Sequence, residues 1–139
     1  MVYFESPHPF AYHKDDAKTA EATHPEGWTT LGDIGQLDDE GFLHLTDRRS
    51  NMIISGGVNI YPQEIENLLV GHPKVMDAAV IGAPDQEMGE CVVAVVQPAD
   101  MADAGDSLAQ ELREFLAGKL ARMKQPRQYD FRAELPREA

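Results

Sequence analysis

Two segments in the second half of the chain show the apolar period of an amphipathic helix. The first should begin at Pro62, because proline suits the first helical position, and should end at Gly71. In the second, Ser107 and Gln110 have the spacing of a capping box, and Pro126 should end the helix. The apolar positions of the second helix are Leu108, Leu112, Phe115, Leu116, Leu120 and Met123. Each helix is therefore expected to bury one face against a sheet.

Short apolar runs before, between and after these helices predict strands. They occupy residues 52–54, 78–81, 91–97 and 129–132. After residue 51 the predicted order is strand, helix, strand, strand, helix, strand. This order predicts an α+β fold in which helices pack on a short mixed sheet.

The first part of the chain has a weaker pattern. Residues 2–4 suggest a short strand and residues 15–22 suggest a short helix. A hairpin is predicted where strand formers at 28–31 and 42–46 flank a turn cluster at 38–41. The weak periodicity is typical of the end of a larger domain, and we place a domain boundary in the polar, charged segment that follows the hairpin.

The composition makes the chain strongly acidic, with 24 Asp and Glu against 12 Lys and Arg and a formal net charge of −12. Such a surface repels phosphate backbones and anionic lipids, which argues against nucleic acid or a membrane surface as the main partner. No run approaches the roughly 20 apolar residues of a membrane span. Segment 119–137 is the exception, because its six bases and two acids suit either a small anionic ligand or a helix end followed by a solvated loop.

The single cysteine, Cys91, lies inside an apolar run. It cannot form an internal disulfide, and its setting suggests a small buried side chain. The start of the chain has neither the basic nor the apolar part of a signal peptide. These features predict a cytoplasmic, reducing environment.

The sequence shows no general motif for phosphate binding, metal binding or a catalytic triad. No glycine-rich loop is followed by a lysine, so no complete phosphate-binding loop is found. The five histidines show no metal-ligand spacing, and no metal site is predicted. A Ser/His/Asp triad cannot be argued from spacing, because triads assemble across a fold.

Two stretches are more informative. One is Gly-Trp-Thr-Thr-Leu-Gly-Asp at 27–33, and the other runs from Asp47 to Glu66 and contains Ser-Gly-Gly-Val-Asn-Ile-Tyr-Pro. Together they resemble two consecutive signatures of the adenylate-forming superfamily, which comprises acyl-CoA synthetases, luciferases and peptide-synthetase adenylation domains. The resemblance continues through residues 72–75, 79–82, 84–85 and 89–90. It is greatest to the C-terminal part of bacterial fatty-acyl-CoA ligases.

The resemblance implies a two-step reaction. The family uses ATP to join a carboxylic acid to AMP, releases pyrophosphate, and then transfers the acyl group to the thiol of coenzyme A. The implied cofactors are therefore ATP or AMP and coenzyme A, with Mg²⁺ accompanying ATP, although no Mg²⁺ ligand is identified in this chain. The implied substrate is a fatty or related carboxylic acid.

The resemblance also divides the chain. Residues 1–46 correspond to the tail of the large N-terminal adenylation domain, residues 47–50 to a hinge, and residues 51–139 to the small mobile C-terminal lid. Ser50 aligns with the residue about which the lid rotates between the two steps, where the family usually has Asp or Lys. Serine tolerates the φ/ψ change that a hinge requires, so Ser50 keeps this predicted role.

Several residues match binding positions of the family. Asp33 matches the aspartate that binds the ribose hydroxyls, and a carboxylate can accept from both. Arg48 matches an arginine that reaches the ribose or phosphate region, which suits a planar donor. Ser55, Gly56 and Gly57 match the loop that faces the active site during thioester formation, where a larger side chain would block the thiol. From the residues alone, these positions also suit a turn aspartate, a solvated arginine and a tight turn between strand and helix.

Departures from the family pattern bear on activity. Leu31 replaces a threonine that is common before Gly-Asp. After Leu135 the family continues into a glycine-lysine motif whose lysine stabilises charge during adenylation; the sequence reaches Ala139 without it, and neither Lys119 nor Lys124 takes its place. No catalytic residue is therefore assigned to this chain.

The same resemblance predicts a partner. The large N-terminal domain of the family holds the phosphate loop and the acyl pocket, so this domain is the expected partner of the chain. Alone, the chain is predicted not to turn over. Self-association is also expected, through apolar surface that the large domain would cover.

Three functional hypotheses stay open. The first is a fragment of an acyl-CoA ligase, which the Ser-Gly-Gly-Val-Asn-Ile-Tyr-Pro stretch favours. The second is an adenylating enzyme with another acceptor, such as a carrier protein or oxygen. The third is a stand-alone binding module that clamps another chain, and its sign would be an exposed apolar patch used in a heterodimer.

Overall fold

The computed structural model describes residues 1–8 and 10–136. The chain divides into two compact units, Met1–Ser50 and Asn51–Ala139, which are described separately here. Arg137, Glu138 and Ala139, where the sequence was expected to approach a glycine-lysine motif, lie outside the described residues.

The first unit contains a short helix and a hairpin. Helix α1 spans Asp16–Glu21, and the Asp15 side chain caps it by accepting from the Lys18 N–H. Strands β1 (Asp33–Leu37) and β2 (Leu43–Arg48) pair antiparallel. The predicted helix is thus confirmed, as is the second strand of the hairpin.

The first strand of the hairpin was predicted at the wrong place. The backbone of Thr29 exchanges hydrogen bonds with Phe4, and the Thr30 N–H donates to the Ala22 carbonyl, so residues 28–31 are paired within the first unit and cannot pair with β2. Among residues 2–4 only Phe4 forms a β-bridge, although the Val2 N–H also donates to the Asp33 carbonyl. Propensity alone predicts a strand at 28–31, but the backbone pairing of these residues in the folded unit overrides that propensity.

The hairpin also extends further than its predicted end. Asp47 pairs with Ile34 and Arg48 with Asp33, so the first two residues of the predicted hinge segment 47–50 belong to β2. A 3₁₀ turn at Arg49–Asn51 follows directly. The chain therefore leaves the first unit through Arg49 and Ser50.

The second unit is a mixed sheet with two helices. Its elements in chain order are β3 (Ile53–Ser55), β4 (Val58–Ile60), α2 (Pro62–Leu69), β5 (Val75–Asp85), β6 (Gly89–Pro98), α3 (Asp106–Leu116) and β7 (Gln128–Phe131). Strand β6 pairs antiparallel with β5 along its length and with β3 at Ser55–Gly89, and it pairs parallel with β7. The order β4-β3-β6-β5 leaves β5 at an edge of the sheet. The predicted α+β fold is confirmed.

The core of the second unit lies between the helices and one face of the sheet. Strand β6 presents the alternate residues Val92, Ala94 and Val96 to this core, whereas a register shift between Val75 and Asp77 interrupts the alternation in β5. The buried apolar side chains of this core come from both helices and from β3, β4, β5 and β6. They include Ile53, Ile60, Ile65, Leu69, Val80, Val92, Ala94, Val96, Leu112 and Leu116.

Helix α3 differs from its prediction at both ends. Its N-cap is Gly105, at φ 146°, and Ser107 is already inside the helix, so the predicted capping box is wrong. The helix ends at Leu116 because Ala117 is extended and Gly118 takes φ 81°, long before Pro126. Met123, predicted on the buried face, is 63% exposed. Leu120 is buried all the same, from an irregular segment, so an apolar position at helical spacing is not evidence of helix here.

Candidate functional site

Asp33 and Arg48 are cross-strand neighbours at the open end of the β1–β2 hairpin. The Nε of Arg48 lies 3.4 Å from Oδ1 of Asp33. The Asp33 side chain is 18% exposed and that of Arg48 is 70% exposed. The structure thus brings together an anchored carboxylate acceptor and an accessible guanidinium donor, a combination suited to a ligand with both hydroxyls and an anionic group.

The backbone before Asp33 is fixed by a residue that the sequence did not single out. The Thr30 hydroxyl donates to the Val2 carbonyl at 2.6 Å and accepts from the Gly32 N–H at 3.0 Å. Gly32 takes φ 85°, which favours glycine, and its carbonyl accepts from the Arg49 N–H. A threonine two residues before a glycine is a local signal for this kind of turn.

A cavity of about 320 Å³ lies beside this part of the first unit. Its lining includes Gly32, Arg49 and Ser50, which flank the predicted binding residues along the chain. Asp33 and Arg48 themselves are not among the lining residues. Within this unit, therefore, the ion pair and the cavity are adjacent in sequence but are separate features.

Ser55, Gly56 and Gly57 form the turn between β3 and β4. Ser55 pairs with Val58, so only the two glycines lie between the strands. Their φ values are 56° and 78°, as a two-residue hairpin turn of this kind requires. The prediction of a turn between strand and helix is wrong, because β4, a strand of only three residues, was missed.

The two glycines have different surroundings. A Cβ on Gly56 would lie 2.5 Å from Cε of Met88, so this glycine is covered by a side chain. A Cβ on Gly57 would meet no atom of the described residues within 4 Å. The backbone at Gly57 is therefore the part of the turn that another molecule can approach closely.

The neighbouring turn between β5 and β6 supports this one. Oδ1 of Asp85 accepts from the N–H groups of Glu87 and Met88, and these two hydrogen bonds hold the pKa of Asp85 below its ordinary value. The Met88 carbonyl in turn accepts from the Gly56 N–H at 2.9 Å. Asp85 thus organises the turn on which the glycine turn rests.

Three of the basic residues of segment 119–132 form hydrogen bonds to protein groups. Lys119 donates to the Phe115 carbonyl, Lys124 to Glu64 at 2.8 Å, and Arg132 to Asp130 at 2.8 Å. These contacts favour the interpretation of the segment as a helix end and a solvated loop. In the described part of the chain no group of three or more His, Cys, Asp and Glu could hold a metal ion. No helix described here has the length and apolar character needed to cross a bilayer.

Comparison with protein families identifies one matching domain. The family described as "AMP-binding enzyme C-terminal domain" matches residues 64–139. The match begins inside α2 and includes β5, β6, α3 and β7. It therefore covers most of the second unit.

The curated relatives that this chain matches are much longer than the chain itself. The 2-succinylbenzoate–CoA ligase of Bacillus cytotoxicus is 45% identical over 128 residues, which are 92% of this chain and 25% of that protein. The long-chain-fatty-acid–CoA ligase FadD13 of Mycobacterium tuberculosis is 45% identical over 111 residues, 80% of this chain and 21% of that protein. The chain thus spans about a quarter of the length of the curated relatives it matches.

A solved structure shares the fold. The o-succinylbenzoate CoA synthetase of Bacillus subtilis, in complex with the acyl-adenylate intermediate OSB-AMP, is 42% identical and superposes with a TM-score of 0.72. The superposition covers 84% of this chain and 23% of that one.

Proposed function

The chain belongs to the family of C-terminal domains of AMP-binding enzymes, and on this basis we propose that it is the C-terminal part of an AMP-forming CoA ligase. The proposed enzyme forms an acyl-adenylate from a carboxylic acid and ATP, and then transfers the acyl group to coenzyme A. The predicted superfamily resemblance is confirmed by the family match and by the similar ligases.

The observation that carries the proposal is the length of the match to a CoA ligase. A match of 128 residues in a chain of 139 necessarily includes both the β1–β2 hairpin and the β3–β4 turn. The elements proposed to bind the nucleotide and to face the thiol therefore both lie in the shared region. A similarity confined to the second unit would not support the two roles together.

The acyl substrate is proposed only as a class. The two named relatives are ligases for 2-succinylbenzoate and for long-chain fatty acids. A fatty or related carboxylic acid remains our proposal, and the acid-binding pocket is expected in the large N-terminal domain. That domain is the proposed main partner of this chain.

In the proposed enzyme, Asp33 and Arg48 bind the nucleotide. The Asp33 carboxylate accepts from ribose hydroxyls, and the exposed Arg48 guanidinium donates to the ribose or phosphate region. The observed geometry fits this use, since the Asp33 carboxylate is partly buried and the Arg48 guanidinium is accessible. ATP brings Mg²⁺, for which we assign no ligand in this chain.

The second unit is proposed to act as the lid. Ser50 is the hinge, and the Ser55–Gly56–Gly57 turn faces coenzyme A during thioester formation. The open space around Gly57, as far as the structure describes the chain, supports this role, because a thiol must pass close to the backbone there.

The proposed large domain would also cover exposed apolar side chains of the first unit. The β1–β2 hairpin exposes Leu37, Phe42, Leu43 and Leu45. A two-stranded hairpin with such a surface is only marginally stable by itself. We therefore expect the isolated chain to be inactive and to self-associate.

The test uses the enzyme encoded by the complete reading frame around this sequence. The expected result is carboxylate-dependent ATP–pyrophosphate exchange, and release of acyl-CoA once coenzyme A is added. A panel of fatty, aromatic and short acids defines the substrate. Acyl transfer to a carrier protein or an amine, but not to coenzyme A, would favour the second hypothesis.

The reading frame itself tests the third hypothesis. If it encodes no large domain, and the chain instead forms a stoichiometric complex with a separate protein, the binding-module hypothesis replaces the ligase proposal. Purification of the chain with its neighbours, followed by mass measurement of the complex, gives this answer directly.

A further inference from the structure

The side of β3 that faces β6 needs hydrogen-bond acceptors. In the β3–β4 hairpin, Ser55 and Val58 face each other across the turn, so the N–H groups of Ile54 and Gly56 point to the opposite side. On that side β3 pairs with β6 only at Ser55–Gly89. A regular ladder therefore does not extend along the strand that carries the glycine turn.

Two groups on the β5–β6 hairpin supply these acceptors. Oε2 of Glu90 accepts from the Ile54 N–H at 2.8 Å, and the Met88 carbonyl accepts from the Gly56 N–H at 2.9 Å. The first is a charge-assisted hydrogen bond, which is stronger than a neutral one. Together they attach β3, and with it the turn at 56 and 57, to β6.

Gly82 makes room for the Glu90 side chain. A Cβ on Gly82 would lie 2.6 Å from Oε1 and 3.0 Å from Cδ of Glu90. Gly82 is not among the glycines with positive φ, so backbone conformation does not require glycine there. Space does, chiefly for the Glu90 carboxylate and to a lesser degree for Cγ2 of Ile53, which would lie 3.3 Å from the added Cβ. Gly82 and Glu90 lie in two segments that contribute to the family resemblance, but the sequence alone predicted no role for either residue.

We propose that Glu90 is a positioning residue for the Ser55–Gly56–Gly57 turn, and that Gly82 is small so that the Glu90 carboxylate can reach Ile54. The inference rests on the proposed function in one respect: it assumes that the turn faces the thiol during the second half-reaction. Glu90 contacts no reacting group and acts through the backbone of β3. Its loss should therefore impair acyl transfer and spare adenylation.

The structural part is tested on the complete enzyme by amide hydrogen exchange, read by mass spectrometry of overlapping fragments that isolate Ile54. In Glu90→Ala, exchange at Ile54 should accelerate by about ten- to a hundredfold, the equivalent of one charged hydrogen bond. Glu90→Gln keeps an acceptor oxygen and should stay near the wild-type rate. The amide of Ala94 in β6 reports global opening and should not change.

Two further variants sharpen this test. Glu87→Ala removes an exposed carboxylate from the same hairpin and should leave exchange at Ile54 unchanged. Gly82→Ala should reproduce the effect of Glu90→Ala by displacing the carboxylate, and should add little in a Glu90→Ala background. Additive effects of the two substitutions, or unchanged exchange at Ile54 in Glu90→Ala, would overturn the proposal.

The functional part uses the complete enzyme and separates the half-reactions. In Glu90→Ala, ATP–pyrophosphate exchange should keep its wild-type rate while acyl-CoA formation falls by about tenfold or more, and Glu90→Gln should restore it. An equal fall in both half-reactions, or failure of Glu90→Gln to restore transfer, would contradict a positioning role. If the wild-type enzyme itself forms no acyl-CoA, the proposed function fails, whereas the exchange data on Ile54 stand independently.

Discussion

The carboxylate of Glu66 accepts a hydrogen bond from the backbone N–H of Val80, with 2.9 Å between Oε1 and N. Glu66 lies on α2 and Val80 on β5, the edge strand of the sheet. The N–H of Ala78 is bound in the same way by the Asp77 carboxylate at 2.8 Å, and Pro84 has no N–H. Carboxylates and a proline thus occupy or remove the donors at positions 78, 80 and 84 that another strand would use at this edge.

Glu66→Ala should lower the free energy of unfolding by about 1–3 kcal/mol, because it leaves the amide of the buried Val80 without its acceptor. Glu66→Gln retains an acceptor oxygen and should lose less. Urea denaturation followed by circular dichroism measures both. Equal losses in the two variants would mean that the negative charge, and not the hydrogen bond, carries the effect.

The ion pair between Lys74 and Glu111 should make stability depend on pH at both extremes. Nζ and Oε2 are 2.6 Å apart, and His72 Nε2 lies 3.3 Å from Oε1 of the same carboxylate. The hydrogen bond to Lys74 lowers the pKa of Glu111 below 4.5, and the same bond raises the pKa of Lys74 above 10.5. The contribution of Glu111 is therefore present above pH 4.5 and is lost as pH falls through its lowered pKa. That of Lys74 is present below pH 10.5 and is lost as pH rises through its raised pKa.

The substitution Glu111→Gln removes the carboxylate charge and so isolates the contribution of this ion pair to the pH dependence of stability. The difference in urea midpoint between wild type and Glu111→Gln should be largest between the lowered pKa of Glu111 and the raised pKa of Lys74, and should shrink towards both extremes of pH. A difference that did not vary with pH would show that the lost contacts of the carboxylate are not electrostatic. His72 and Asp103 are the other charged or titratable groups beside this pair, and they are present in both proteins.

Alanine at either turn glycine should destabilise the second unit, but for different reasons. Both positions have positive φ, which costs an L-residue about 1–2 kcal/mol. Gly56→Ala also forces the end of the Met88 side chain to move, so it should cost more than Gly57→Ala. Thermal unfolding of the two variants compares them, and Met88→Ala in the Gly56→Ala background should recover part of the difference. Equal costs would imply that Met88 adapts freely.

Asp33→Asn should weaken nucleotide binding in the complete enzyme. Loss of a charged acceptor costs about 1.5–3 kcal/mol, which corresponds to a rise of about ten- to a hundredfold in the KM for ATP. Stability should change little, because the pair with Arg48 is mostly exposed on the arginine side. Asp39→Asn, in the exposed hairpin turn, is the matched control. An unchanged KM in Asp33→Asn would exclude the proposed ribose contact.

Elements whose pattern reports burial were predictable from the sequence. Helix α2 begins at Pro62 as predicted, and Ile65 and Leu69 are fully buried on its inner face. The apolar runs at 78–81 and 91–97 lie within β5 and β6. The helix was predictable from the period of its one buried face, and the two strands from continuous apolar runs, and both signals can be read locally.

Elements that depend on competition between distant partners were not predictable in this way. Residues 28–31 have better strand formers than Asp33–Leu37, but their backbone is already bonded to Phe4 and Ala22. Strand β4 has three residues, too few to show a period. Leu116 and Leu120 share a helical spacing, yet the left-handed Gly118 separates them. Local propensity cannot rank such alternatives, because their free energies include contacts made elsewhere.

By itself, the sequence determined the buried faces of the helices and strands, the α+β class and the superfamily. Only the tertiary structure decided which carboxylate holds which backbone amide. Ile54 and Glu90 are 36 residues apart, and Glu66 and Val80 are 14 apart. A glutamate bound to a distant amide leaves no periodic trace, because any polar residue at a half-exposed position produces the same pattern. Its partner is set by how the sheet and helices bring remote segments into hydrogen-bonding distance.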